Sequence, residues 1–167
     1  MLLGTLKGEK HQNVYTGDIV KMNITKVFNW HCAHRLVGHR GLCKNVHGHT
    51  YKLEVEIEGN PQIGGSSDGM IVDFSDLKSL VKKFIVDKFD HAFVYNSNSY
   101  TDKLIAKFLK TKIDQKLLAL PFNTTAENMA QWIFKELTTQ KKLTDKITVT
   151  KIRLWETDTA YAEKKNG

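Results

Sequence analysis

Three histidines stand where they can converge. His47 and His49 lie two apart in a stretch with apolar odd positions, Tyr51, Leu53, Val55 and Ile57, and polar even positions, Thr50, Lys52, Glu54, Glu56 and Glu58. Residues two apart on an extended strand point the same way, so both imidazoles belong to the inward face. His34 continues the parity of Met22, Ile24, Phe28, Trp30 and Cys32, a face broken only by Lys26. If the two strands pair, three imidazoles meet on the core side of the sheet. Burying them without a common partner is costly. A Zn²⁺ held by three neutral imidazoles removes that cost and leaves a fourth position open, as catalytic zinc sites do. A bare His-x-His is also common in ordinary turns; the third histidine in phase is what favours a metal. His31 has the outward parity, and His11 and His39 fall in irregular segments, so these three read as surface residues.

Other reactive side chains lie close in sequence. Cys43 precedes His47 by four residues. A thiol beside a metal and cationic groups is driven toward thiolate, with Arg35, Arg40 and Lys44 as candidates for the cations. A chance loop cysteine fits the spacing equally well. Cys32 has core parity and reads as a small buried residue. Asp90 and His91 are adjacent, and an imidazole polarised by a carboxylate is a proton carrier, although neighbours in sequence do not automatically touch. Glu156 is in phase with Ile152 and Leu154. An inward carboxylate must meet a donor. A bound ring with paired N–H groups would serve, and so would a backbone or lysine partner.

The elements that must position these groups follow from periodicity. Strands are predicted from Met22 to the His34 region and from about His47 to Glu58, joined by the basic loop Leu36–Asn45. Gly59-Asn60-Pro61 and a Gly/Ser-rich loop to Gly69 end the second. Asp73 or Ser75 can cap a helix with Phe74, Leu77, Leu80, Val81, Phe84 and Ile85 at three- and four-residue steps. Leu104, Ile105, Phe108 and Leu109 suggest a short second helix. Thr124-Thr125-Ala126-Glu127 fits a capping box ahead of the stripe Met129, Ala130, Ile133, Phe134 and Leu137. A last strand runs from Lys146 to about Glu156. An α+β domain with an antiparallel sheet and helices on one face is expected. Residues 1–21 read as an N-terminal extension and 22–167 as a single domain.

Composition narrows the function classes. The 167 residues carry a formal net charge of +7, which favours anionic partners. Much of the excess is lysine scattered along predicted helices, and no arginine/aromatic stripe accompanies it, so nucleic-acid binding is not expected. Two cysteines are too few for a disulfide scaffold. No apolar run approaches the roughly 20 residues of a membrane helix. The first residues lack an h-region and cleavage site, so a cytoplasmic location is expected by default.

Several segments resemble one family. Trp30-His31-Cys32-Ala33-His34-Arg35-Leu36, Cys43-Lys44-Asn45-Val46-His47-Gly48-His49-Thr50-Tyr51, Gly69-Met70-Ile71-Val72-Asp73-Phe74, Phe89-Asp90-His91, Thr124-Thr125-Ala126-Glu127-Asn128 and Trp155-Glu156-Thr157 are similar, in order, to motifs of the 6-pyruvoyl-tetrahydropterin and 6-carboxytetrahydropterin synthases. The resemblance implies a tunnelling fold: an antiparallel four-stranded sheet with helices, joined into a barrel on oligomerisation as a homohexamer, a dimer of trimers with active sites at subunit interfaces. It implies that His34, His47 and His49 hold zinc, Cys43 abstracts a proton, Asp90 and His91 relay protons, and Glu156, with Thr124 and Thr125 nearby, anchors a pterin. Trp30, His31, Phe89 and Thr124 depart from the commoner family residues. Residues 1–21 are additional, and the 96–122 segment is longer than in the shortest members.

The short spacing from Cys43 to His47 resembles the 6-carboxytetrahydropterin synthases of queuosine (7-deazaguanine) biosynthesis. The implied reaction is a zinc-dependent lyase step converting dihydroneopterin triphosphate to 6-carboxytetrahydropterin, with release of acetaldehyde and triphosphate. A 6-pyruvoyl-tetrahydropterin synthase is the alternative within the family, and a non-catalytic zinc or nucleic-acid-binding module the alternative outside it.

Overall fold

The computed structural model describes residues 20–140 and 147–167. Almost all of the expected N-terminal extension, and Lys146 at the expected start of the last strand, lie outside the described residues. Alternation builds the centre of the molecule. Strand β1 (Met22–His34) and strand β2 (His47–Gly59) pair antiparallel over their whole lengths, with His34 opposite His47, Cys32 opposite His49 and Trp30 opposite Tyr51. The parity argument therefore holds. Phe28, Trp30, Cys32 and His34 are buried on β1, and Tyr51, Leu53, Val55 and Ile57 on β2.

Helix α1 (Phe74–Val81) begins where Asp73 accepts from the Ser75 N–H, the capping role expected of it. It runs into one π-helical turn, Lys82–Val86, and the single turn α2 (Asp87–Phe89). The wider turn resets the helical phase, and Leu77, Val81, Ile85 and Phe89 all stay buried. Helix α4 (Ala126–Thr138) buries Met129, Ala130, Ile133 and Leu137 against strand β5 (Thr148–Thr157) and strand β6 (Ala160–Lys165). Its cap differs from the expected box by one residue. Thr125 accepts from the Asn128 N–H, and the Asn128 amide reaches back to the Asn123 carbonyl.

The sheet departs from the four antiparallel strands expected. It has six: with Phe93–Asn96 as β3 and Leu117–Leu120 as β4, the order is β4-β3-β1-β2-β5-β6. Strand β3 lies parallel to β1, and strand β4 parallel to β3. Two short strands and a polar one extend the ladder because the ends of a three-stranded centre would leave backbone groups unpaired. The expectation of helices on one face also needs correcting. Val94 joins the main core with α1, α2 and α4. Phe93, its neighbour of opposite parity, lines a cleft with Leu109 of α3 (Tyr100–Ile113) and with outward-facing His31, Ala33 and Thr50. Helix α3 therefore covers the opposite face at the β3–β4 edge. Further along that face, Lys151 pairs with Glu56 at 2.5 Å and Arg153 with Glu163 at 2.7 Å, a solvated array of charge.

Candidate metal centre and active site

The pairing of β1 with β2 draws the three histidines together at one end of the ladder. Their ligand-type atoms all lie within 4.8 Å of one another. His34 is 1% exposed, and its Nδ1 sits 2.9 Å from the Thr124 carbonyl oxygen. A carbonyl only accepts, so Nδ1 carries the proton and Nε2 keeps its lone pair. His47 is fixed the same way by the Asn45 carbonyl at 2.8 Å. Such backbone partners are the usual means of orienting metal-ligating imidazoles. His34 Nε2 is buried with no hydrogen-bond partner, an orphan that a metal ion would satisfy.

Electrostatics agree with that donor set. Burial lowers the His34 pKa to about 4, beyond what the Thr124 bond restores, and His47 and His49 add to the lowering. Burial also lowers the His49 pKa, against the pull of Glu156. Neutral imidazoles are the form that binds metal. Glu156 Oε1 accepts from the Tyr51 hydroxyl at 3.1 Å and lies 3.7 Å from His34 Nε2 and 3.9 Å from His49 Nε2. A carboxylate beside neutral imidazoles favours a cation among them. The residues present fit a divalent metal ion.

His49 also lines a cleft of about 560 Å³ shared with His31, Thr50, His91, Phe93 and Gln115. Asp90 and His91 do touch: His91 Nδ1 is 3.0 Å from Asp90 Oδ1. Asp90 Oδ1 also accepts from the His31 N–H at 3.2 Å. Partial burial opposes the Asp90 carboxylate, but these bonds and the Lys116 charge outweigh it, and its pKa lies below the ordinary value. No hydrogen bond or ion pair among the described residues joins this pair to the three histidines, although His49 and His91 line the same cleft. His31, read as a surface residue, is exposed but belongs to the cleft, its ring edge-on to His91 at 6.2 Å.

Cys43 lies in the 3₁₀ turn Leu42–Lys44 that leads into β2, half-buried, with its carbonyl accepting from the Leu36 N–H. Its thiol is free and makes no hydrogen bond among the described residues. Arg35, expected near that thiol, turns away to fully buried Asp102 on α3, 3.5 Å distant. Cys32 is buried, which pushes its pKa up to about 12 and leaves it inert. Thr124 is fully buried; its carbonyl orients His34 and its hydroxyl donates to the Arg35 carbonyl. Sequence reasoning missed Tyr51 as the partner of Glu156, although its inward parity and polar tip were legible. It also missed Gln115 and Lys116, whose bonds run to backbone carbonyls and leave no pattern.

A three-histidine cluster that could hold a metal ion stands at the end of a two-stranded ladder, and a carboxylate–imidazole pair shares its cleft. The chain belongs to the 6-pyruvoyl tetrahydropterin synthase family, whose model matches residues 23–166. It is 46% identical to the 6-carboxy-5,6,7,8-tetrahydropterin synthase of Haemophilus influenzae, covering 84% of this chain and 96% of that protein. The Rickettsia typhi protein of the same name is 32% identical, over 83% of this chain and 96% of its own length. The 6-pyruvoyl tetrahydropterin synthase of Plasmodium vivax superposes with a TM-score of 0.65 at 18% identity, covering 87% and 97% of the two chains, which is a likeness of fold.

Proposed function

We propose that this chain is a zinc-dependent 6-carboxytetrahydropterin synthase, acting on dihydroneopterin triphosphate with release of acetaldehyde and triphosphate. As a member of this family it is an enzyme, a lyase. The observation that carries the reading is the orphaned Nε2 of His34, held ready among two further imidazoles, in a chain 46% identical to a protein of that name. His34, His47 and His49 hold the ion. Zinc bound there would supply Lewis-acid polarisation of the substrate's side-chain hydroxyls. Cys43, as thiolate, removes a proton from the substrate side chain. His91, paired to Asp90, carries protons to and from the rearranging carbons. Glu156 accepts from the pterin ring N–H groups, with Thr124 and Thr125 beside it. The excess of positive charge suits a triphosphate.

The setting belongs to the same proposal: queuosine biosynthesis in the cytoplasm, in a homohexamer whose sheets close into a barrel. No helix among the described residues is long and apolar enough to cross a membrane. The test is a product assay. Zinc-loaded protein incubated with dihydroneopterin triphosphate should yield acetaldehyde and the 6-carboxy pterin by mass spectrometry. Cys43→Ala should lose on the order of 10²-fold or more in turnover while keeping one zinc per chain. A pyruvoyl product would move the chain to the sister activity. Absent turnover with zinc retained would leave a binding module.

A further inference from the structure

His91 holds its backbone at φ 58°, the left-handed region that non-glycine residues adopt sparingly. Such a conformation persists only where the surroundings over-determine it. Three bonds do so here. The His91 N–H donates to the His31 carbonyl at 2.6 Å, its Nδ1 meets Asp90 at 3.0 Å, and its carbonyl accepts from Gln115 Nε2 at 2.9 Å. The second proton of the Gln115 amide goes to the Lys116 carbonyl at 3.1 Å, so both donors of that nitrogen are committed. Asp114, the other left-handed non-glycine residue described, ends α3 at φ 52° and turns the chain so that Gln115 faces the cleft. Lys116 adds a second tie, its ammonium donating to the Asp87 and Asp90 carbonyls, each at 2.7 Å.

We propose that Gln115 is a positioning residue for His91: its side-chain amide grips the His91 carbonyl and keeps the imidazole against Asp90 in its left-handed pose. This gives the α3–β4 segment a role, that of delivering the clamp. The inference rests on reading His91 as the proton carrier. Without the grip, the peptide after His91 keeps only the Ala92 N–H bond to the Phe89 carbonyl at 2.9 Å, and the imidazole loses its alignment with the carboxylate. Small misplacements of an acid–base group are felt in turnover more than in substrate binding.

The experiment compares wild type, Gln115→Ala and the isosteric Gln115→Glu, which keeps the volume and removes the donors. Each is assayed for turnover, alone and combined with His91→Ala, and, with His91 in place, for the ¹⁵N shifts of its ring. Expected are a roughly tenfold fall in kcat with KM within twofold, a His91 signal moved toward a tautomer mixture, and no further fall when Gln115→Ala is added to His91→Ala. Unchanged kcat and unchanged ring shifts in Gln115→Glu would overturn the clamp, as would equal losses in both backgrounds. If His91→Ala itself turned over normally, the relay reading would fail, and the ring shifts would still decide the clamp.

Discussion

At His34, one ring combines deep burial, a backbone carbonyl on Nδ1 and a bare Nε2. The linkage has a definite sign. The metal-free native state holds its imidazole neutral down to about pH 4, whereas an unfolded histidine protonates near 6.5. Below pH 6.5 the unfolded chain binds the extra proton, so stability falls as pH drops toward 4 and is flat above 6.5, by up to roughly 3 kcal/mol. Denaturant titrations of metal-free protein at pH 7 and pH 4.5 should show that loss. The same comparison on His34→Leu should lack this component, and an equal pH dependence in both proteins would refute the assignment. The three-histidine cluster was legible because strand parity forces it. The partners that orient its rings were not, because Thr124 and Asn45 act through carbonyls, which every residue possesses.

Among the elements, length and period decided what could be read. The thirteen-residue strands β1 and β2 alternate cleanly and were found. Strands β3 and β4 have four residues each, Phe93–Asn96 and Leu117–Leu120, too few to display a period, and β6 carries Lys164 and Lys165 on an edge. Helix α3 was found only in part, because its anchor is polar. Fully buried Asp102 accepts from the Asn96 N–H at 3.1 Å and meets Arg35, the residue after His34. That pair ties α3 to the end of β1. Removing one partner leaves the other charge buried, so Asp102→Ala should cost about 3 kcal/mol in chemical denaturation. A loss below about 1 kcal/mol would mean that Arg35 finds water or another acceptor.

At the scale of the molecule, exposed apolar side chains are scattered over the described residues, but one helix lines several of them up. The outward face of β2, β5 and β6 is laced with ion pairs, whereas α3 exposes Tyr100, Leu104 and Phe108 at successive four-residue steps, with Ile113 beyond them. An apolar row of this kind asks for cover. Sedimentation should therefore find an assembly, a hexamer on the reading above. Phe108→Glu should shift it toward smaller species without unfolding the chain. A wild-type monomer at micromolar concentration would contradict the proposed assembly. No pattern in one chain distinguishes an apolar row that packs internally from one that meets a neighbour; only placement on α3 made it visible.

The two left-handed residues would be the first picked by anyone seeking a more heat-resistant version through glycine substitution. At Asp114 the change would forfeit only an exposed contact with Lys110. At His91 the outcome is deceptive. The bonds to His31 and Gln115 run through main-chain atoms, so a glycine there would keep both and relieve the backbone, and the fold would show no sign of injury. What would vanish is the imidazole in the cleft. Ranking variants of this protein by melting temperature alone would therefore reward the substitution that removes the proton carrier proposed above.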